Sequence, residues 1–168
     1  WVGRISSQDK ADLVPLLAVL RAIGRERPAA HVHLLIAGTP RDVEAQILAT
    51  ETERLGIANH VIALGQVPDD NLPTLYQAAD VFVSPVDSTQ EMFGISVIEA
   101  MASGLPVITT SGVQEEIVGK AGIVVPQESP LRLSRAIESL LNNEEKRKSL
   151  GKLGRTRAEK FYDHRRIS

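Results

Sequence analysis

The sequence predicts an α/β protein, a single doubly wound parallel sheet of about six strands with helices on both faces. Three observations carry this expectation. Short β-branched runs alternate with helix-length segments of mixed polarity along the whole chain. Glycine and proline stand where one kind of segment gives way to the other, as at Gly38-Thr39-Pro40, Gly56 and Gly104-Leu105-Pro106. No internal repeat or low-complexity linker interrupts the alternation, and 168 residues suit one domain with a sizeable core.

Taken in order, Trp1-Val2 reads as the end of a first strand, and Gly3-Arg4 turns out of it into a polar loop that runs from Ile5 to Lys10. A helix follows from about Ala11 to Gly24. His31 to Gly38 is the second strand. His31 and His33 alternate on one of its faces, but without a third ligand they make no metal site. Asp42 to Leu55 is an amphipathic helix stopped by Gly56, and His60 to Gly65 the third strand. The loop Gly65-Gln66-Val67-Pro68-Asp69-Asp70 leads to a helix from Asn71 to Ala79, and Asp69, just before it, is at a position more often used as an N-cap than as a ligand contact. Val81-Phe82-Val83 is the fourth strand and Val107-Ile108-Thr109-Thr110 the fifth, with a helix between them from Ile95 to Ser103. Past Thr110 come a short helical turn, a strand beginning at Gly122, and helices over Ser129–Leu141 and Glu144–Tyr162. The Lys and Arg cluster from Lys146 to Lys160 reads as a solvated helix face.

Composition narrows the function classes. Hydrophobic residues make up 43% and charged residues 24%, ordinary for a globular chain. The net charge is -2 and no long basic block precedes the C-terminal segment, so nucleic acid is not an expected partner and small molecules are. With no cysteine there are neither disulfides nor thiolate metal sites, which fits a cytoplasmic location. The longest apolar stretches, such as Leu13 to Leu20 with Pro15 inside, fall well short of a transmembrane segment. The chain opens inside a strand and without methionine, as expected of a domain excised from a longer protein.

The chemistry concentrates between Ser84 and Thr110. From Ile95 to Ser103 the only polar residues are Ser96, Glu99 and Ser103, which fall in one narrow stripe, so the helix is expected to be buried on its other faces. An unpaired carboxylate in a dry core costs several kcal/mol or shifts its pKa. Glu99 is therefore expected to look into solvent or a cleft. The loop before the helix presents backbone NH groups from about Phe93 to Ile95, with the positive end of the helix dipole behind them and Gly94 allowing close approach. That is an anion site suited to phosphate. Glu91 and Glu99 would repel a phosphate in direct contact, so they are expected to accept hydrogen bonds from hydroxyls on either side of it. A ligand with hydroxyls flanking phosphates is a sugar nucleotide. Arg4 and Lys10, in a loop at the carboxyl end of the first strand, face the same crevice and suit a diphosphate.

Glu91 and Glu99 are separated by seven residues, with Phe93-Gly94 just after the first, Glu99-Ala100-Met101 at the second, and SGLPVITT beyond. This pattern resembles the E-x7-E signature of retaining glycosyltransferases with the GT-B fold, and most closely glycosyltransferase family 4. The spacing GRISSQDK is similar to that family's GR...K element, and SGVQEEIVGKAGIVVP to its glycine-rich segment, with Val113 in place of one glycine. The resemblance covers nearly all of the chain.

It implies the strand order 3-2-1-4-5-6 and the C-terminal, donor-binding half of a two-domain enzyme whose N-terminal acceptor-binding domain is absent from this sequence. It implies hexosyl transfer from a nucleoside diphosphate sugar to an acceptor hydroxyl, with retention at the anomeric carbon. Arg4 and Lys10 then stabilise the leaving diphosphate, Glu91 holds a hydroxyl of the donor sugar and Glu99 the ribose hydroxyls. The NH groups of Phe93, Gly94 and Ile95 bind phosphate, and Val67 lies beside the base. No cofactor or metal is implied, the nucleotide sugar being a substrate, and the full-length enzyme is expected in the cytoplasm or peripheral to a membrane. A dinucleotide domain of an oxidoreductase is the nearest fold-level rival, but Gly3-Arg4-Ile5-Ser6 does not match its G-x-G-x-x-G turn. A noncatalytic nucleotide-sugar-binding or regulatory module on the same scaffold is the functional alternative.

Overall fold

The computed structural model of the protein describes residues 14–26, 32–38, 42–85, 94–110, 112–127 and 129–162. Within them the chain runs α1 (Val14–Glu26), β1 (Leu34–Ala37), α2 (Asp42–Leu55), β2 (Val61–Gly65), α3 (Leu72–Gln77) and β3 (Phe82–Ser84). It continues α4 (Ile95–Ala102), β4 (Val107–Thr110), α5 (Val113–Val118), β5 (Gly122–Val125), α6 (Pro130–Leu141) and α7 (Glu144–Phe161). Every described strand pair is parallel. β1 pairs with β2, and β3, β4 and β5 lie side by side in that order. These are the 3-2 and 4-5-6 portions of the expected order. The strand expected between them, at Trp1-Val2, lies outside the described residues.

Strand periodicity explains why helices cover both faces. In β3 and β4 the register pairs Phe82 with Val107 and Val83 with Ile108, and successive side chains point to opposite faces. Val83 and Ile108 accordingly pack with Leu16, Val19 and Ile23 of α1 and with Leu133, Ile137 and Leu140 of α6. Phe82 and Val107 pack with Val97, Ala100 and Met101 of α4, Val118 of α5 and Ala158 of α7. Both faces are buried, which is why these strands read as continuous apolar runs rather than alternating ones. Each large side chain so buried contributes about 1.5–3 kcal/mol.

Local chemistry sets most boundaries. Gly56 ends α2 at φ 68. The Ile57 NH then donates to the Thr52 carbonyl at 2.9 Å, closing the last turn, and Ile57 is buried beside Leu55. One expected cap is corrected. Asp69 makes no side-chain cap bond; it opens a 3-10 turn, Asp69–Asn71, whose closing bond runs from the Asn71 NH to the Pro68 carbonyl at 2.9 Å. With the backbone already satisfying that donor, the carboxylate has none to cap. His60 likewise belongs to a 3-10 turn before β2, with its Nδ1 3.0 Å from the Val32 carbonyl oxygen.

The solvated face expected of α7 is present but is not the whole helix. Lys148–Glu144 and Arg155–Glu159 are exposed ion pairs. Two other arginines tie the helix down: Arg147 donates to the carbonyls of Leu140 and Leu141 at the end of α6, and Arg157 to those of Ile117 and Glu116 at the end of α5. The opposite side is a row of small buried residues, Gly151, Gly154 and Ala158, against α4.

Candidate functional site

α4 opens on Gly94, which has φ 36 and ψ 37 and serves as N-cap without a side-chain cap bond. Its carbonyl accepts from the NH groups of Val97 and Ile98 at 2.9 and 3.1 Å, so the helix begins there and the NH groups ahead of Val97 face outward from the first turn. The glycine is required twice over. Its φ is left-handed, and a β-carbon would come within 2.9 Å of Ile117 Cδ1. The buried-helix expectation holds for one face only: Val97, Ala100 and Met101 are fully buried, whereas Ile95 is 64% exposed. Ile95 sits at the helix start, beyond the reach of the layers that cover the following turns.

Glu99 lies on the half-exposed face of α4. The Tyr76 hydroxyl, from α3, donates to its Oε2 at 2.8 Å. Tyr76 is itself buried, with its ring edge-on to Phe82 at 5.9 Å between centroids. Burial raises the Tyr76 pKa well above the usual phenol value, and the hydrogen bond and negative charge of Glu99 push it the same way. The phenol is therefore a fixed donor. Among the described residues no other side chain engages the Glu99 carboxylate, whose remaining lone pairs can still accept hydrogen bonds.

Around Gly94 the site is built from the carboxyl end of β4 and the start of α5. Gln114 and Ile117 are the nearest neighbours of the Gly94 α-carbon's open side. The Thr109 hydroxyl, fully buried in β4, hydrogen-bonds Gln114 Oε1. Val113 is the first residue of α5, and the positive φ of this segment falls on Gly112, at 133. Replacement of the family glycine by Val113 thus imposes no left-handed backbone on a β-branched residue.

Val67 is half-buried in the loop between β2 and the 3-10 turn that feeds directly into α3. The Val67 loop and the Glu99 carboxylate are in this way joined through Tyr76. Arg4, Lys10, Glu91 and Phe93 lie outside the described residues. A cavity of about 420 Å³ is lined by Leu16, His33, Ala78 and Val83 among others; Val67, Gly94, Ile95 and Glu99 are not among its lining residues. Among the described residues no cluster of three potential metal-ligating side chains is present. Tyr76 is the residue that sequence reasoning missed. The available signal was a tyrosine on a short helix just before a buried strand, where a buried phenol needs a hydrogen-bond acceptor.

The fold, the start of α4 and Glu99 together define a parallel α/β domain that presents a helix N-terminus and a held carboxylate at the carboxyl ends of its strands, where such folds take small-molecule ligands. Residues 2–157 match the family model of the Glycosyl transferases group 1, and the chain belongs to that family. It is 34% identical over 156 residues to the D-inositol 3-phosphate glycosyltransferase of Corynebacterium diphtheriae, covering 90% of this chain and 36% of that protein. The chain thus spans about a third of that relative's length. Anabaena Alr3699/HepE, solved in complex with UDP and glucose, superposes with a TM-score of 0.86 at 22% identity, over 99% of this chain and 44% of that one. The C-terminal domain of the group 1 glycosyl transferase LpcC from Francisella tularensis superposes with a TM-score of 0.79 at 22% identity, over 96% and 84%. The fold is that of the C-terminal domain of GT-B glycosyltransferases.

Proposed function

We propose that this chain is the donor-binding domain of a retaining glycosyltransferase that passes a hexosyl group from a nucleoside diphosphate sugar to an acceptor hydroxyl. The observation that carries the reading is Glu99: half-exposed on the second turn of α4, with one oxygen engaged by Tyr76 and the uncapped first turn at Gly94 on the same helix. A carboxylate next to an anion-binding helix end suits hydroxyls of a ligand whose phosphates bind that end. The E-x7-E pattern and the family membership point the same way.

In this reading Glu99 holds the ribose hydroxyls and the NH groups from Phe93 to Ile95 hold the diphosphate. Arg4 and Lys10 neutralise the negative charge that develops on the leaving diphosphate, and Glu91 orients the hexose through a hydroxyl. Charge stabilisation acts mainly in the transition state, whereas hydroxyl contacts mainly position the donor. The reading assigns no side chain as general base. The acceptor belongs to a second domain across the cleft, so this chain alone binds donor without appreciable turnover.

Calorimetric titration with uridine, guanosine and adenosine diphosphates and their glucose or mannose conjugates, without and with magnesium, tests the reading. The uridine series comes first, given the UDP bound by the Anabaena neighbour. One base series should bind, and Arg4→Ala or Glu99→Gln should weaken it. A folded chain that binds no nucleotide would favour the noncatalytic scaffold, and multiple turnovers by this chain alone would refute the division of labour between two domains.

A further inference from the structure

We infer that Tyr76 is a positioning residue for nucleotide recognition: its hydroxyl holds the Glu99 carboxylate in the orientation that receives the ribose hydroxyls. This deepens the donor-site reading of Glu99 and rests on it.

The geometry is specific. Tyr76 sits on α3, a six-residue helix that the Val67 loop leads into, and its Oη donates to Glu99 Oε2 at 2.8 Å. Among the described residues no salt bridge engages Glu99, and its hydrogen-bond partner is the Tyr76 hydroxyl. A half-exposed glutamate otherwise samples several rotamers and loses that freedom when a ligand binds. The ring that carries the hydroxyl is immobilised in the core, edge-on to Phe82 and packed with Leu105 and Val107 in the same cluster. A rigid donor aimed at a mobile acceptor orders the acceptor before the ligand arrives.

Stoichiometry of lone pairs fits as well. An ionised carboxylate accepts about four hydrogen bonds. The phenol takes one on Oε2, and among the described residues nothing bonds Oε1, which leaves enough for two adjacent hydroxyls of a ribose. Because the phenol does not ionise at ordinary pH, it never presents a second negative charge to that site. The same contact links the loop expected beside the base to the carboxylate expected on the sugar, through a helix too short to bend independently of either.

The test separates positioning from packing. Tyr76→Phe keeps the ring and its contacts and removes only the hydroxyl. Affinities for the ribonucleoside diphosphate that binds best and for its 2′,3′-dideoxy counterpart are measured by calorimetry on wild type, Tyr76→Phe and Glu99→Gln, with thermal melts alongside. The proposal expects wild type to prefer the ribonucleotide. It also expects Tyr76→Phe to weaken the ribonucleotide about three- to tenfold while leaving the dideoxy compound unchanged, on the scale of the net worth of one ordinary hydrogen bond. Equal weakening of both ligands, or no weakening, overturns it. If Glu99→Gln abolishes the ribose preference and Tyr76→Phe does not, the role of Tyr76 fails while the donor reading stands. If wild type shows no preference, or binds neither ligand, the donor reading of Glu99 fails and the proposal with it.

Discussion

Gly151 of α7 lies directly against Gly104, in the turn that ends α4: a β-carbon on Gly151 would stand 2.0 Å from the Gly104 carbonyl oxygen. No side chain fits between the two backbones. The contact brings α7 onto the helix that carries Glu99, so the C-terminal helix is part of the support of the site rather than a solvated appendage. Gly154 continues the seam three residues on, but there a β-carbon would meet Met101 Cγ at 3.5 Å, an ordinary contact distance.

The two glycines should therefore respond in opposite directions. Gly151→Ala must push α7 from α4 and is expected to cost about 1–3 kcal/mol net, overpacking outweighing the gain in helix propensity. Gly154→Ala gains helix propensity without a clash and should stabilise by up to about 1 kcal/mol. Urea denaturation of both variants reads this directly. Equal effects would mean that α7 is not seated as described.

Arg157 joins α7 to α5 through two charged donors, Nε to the Ile117 carbonyl and Nη2 to that of Glu116, both at 2.7 Å. Those carbonyls end a helix and have no helical partner of their own. Arg157→Ala should destabilise by about 1–2 kcal/mol. Arg157→Lys should recover little, because one ammonium cannot reproduce the planar fork across two carbonyls. Recovery of full stability by lysine would reduce the interaction to plain charge.

Tyr76 makes stability fall at alkaline pH. Its pKa in the folded protein is raised above the ordinary value of 10.0, first by burial and then by Glu99. Between the two values the unfolded chain releases a proton that the folded one keeps. The contribution of this group is thus intact below pH 10 and declines above it, by at most one proton's worth of linkage. Denaturant midpoints followed from pH 8 to 11 should fall less steeply in Tyr76→Phe than in wild type. Identical slopes would show that the phenol titrates freely.

Gly94→Ala and Gly56→Ala form a matched pair. Both positions have left-handed backbone, with φ 36 and 68, but a β-carbon meets Ile117 at Gly94 and open space at Gly56. Each should cost about 1–2 kcal/mol of stability. Only Gly94→Ala should also weaken nucleotide binding, by about tenfold or more, because it displaces the first turn of α4. Parallel titrations of the two folded variants decide it; equal binding would detach Gly94 from the ligand site.

Much of this protein was legible in the sequence because the relevant physics is local. Short β-branched apolar runs and helical periodicity located the described strands and helices, α2 at its observed bounds and β4 likewise. Gly56 and Gly104 announced the turns that need positive φ. The E-x7-E pattern drew attention to α4, and its polar stripe showed that Glu99 does not enter the dry core. What tertiary structure alone decided are contacts between segments remote in sequence: the Tyr76 hydroxyl on Glu99, 23 residues away, and Arg157 on Ile117, 40 away. Periodicity reports which face of an element is apolar, but which polar group meets which depends on the rotation and offset of packed elements. The charged surface of α7 hid its inner row of glycines for the same reason. A run of Lys, Arg and Glu describes the side facing water, while the closeness of Gly151 to Gly104 is set by the partner helix that the small residues admit.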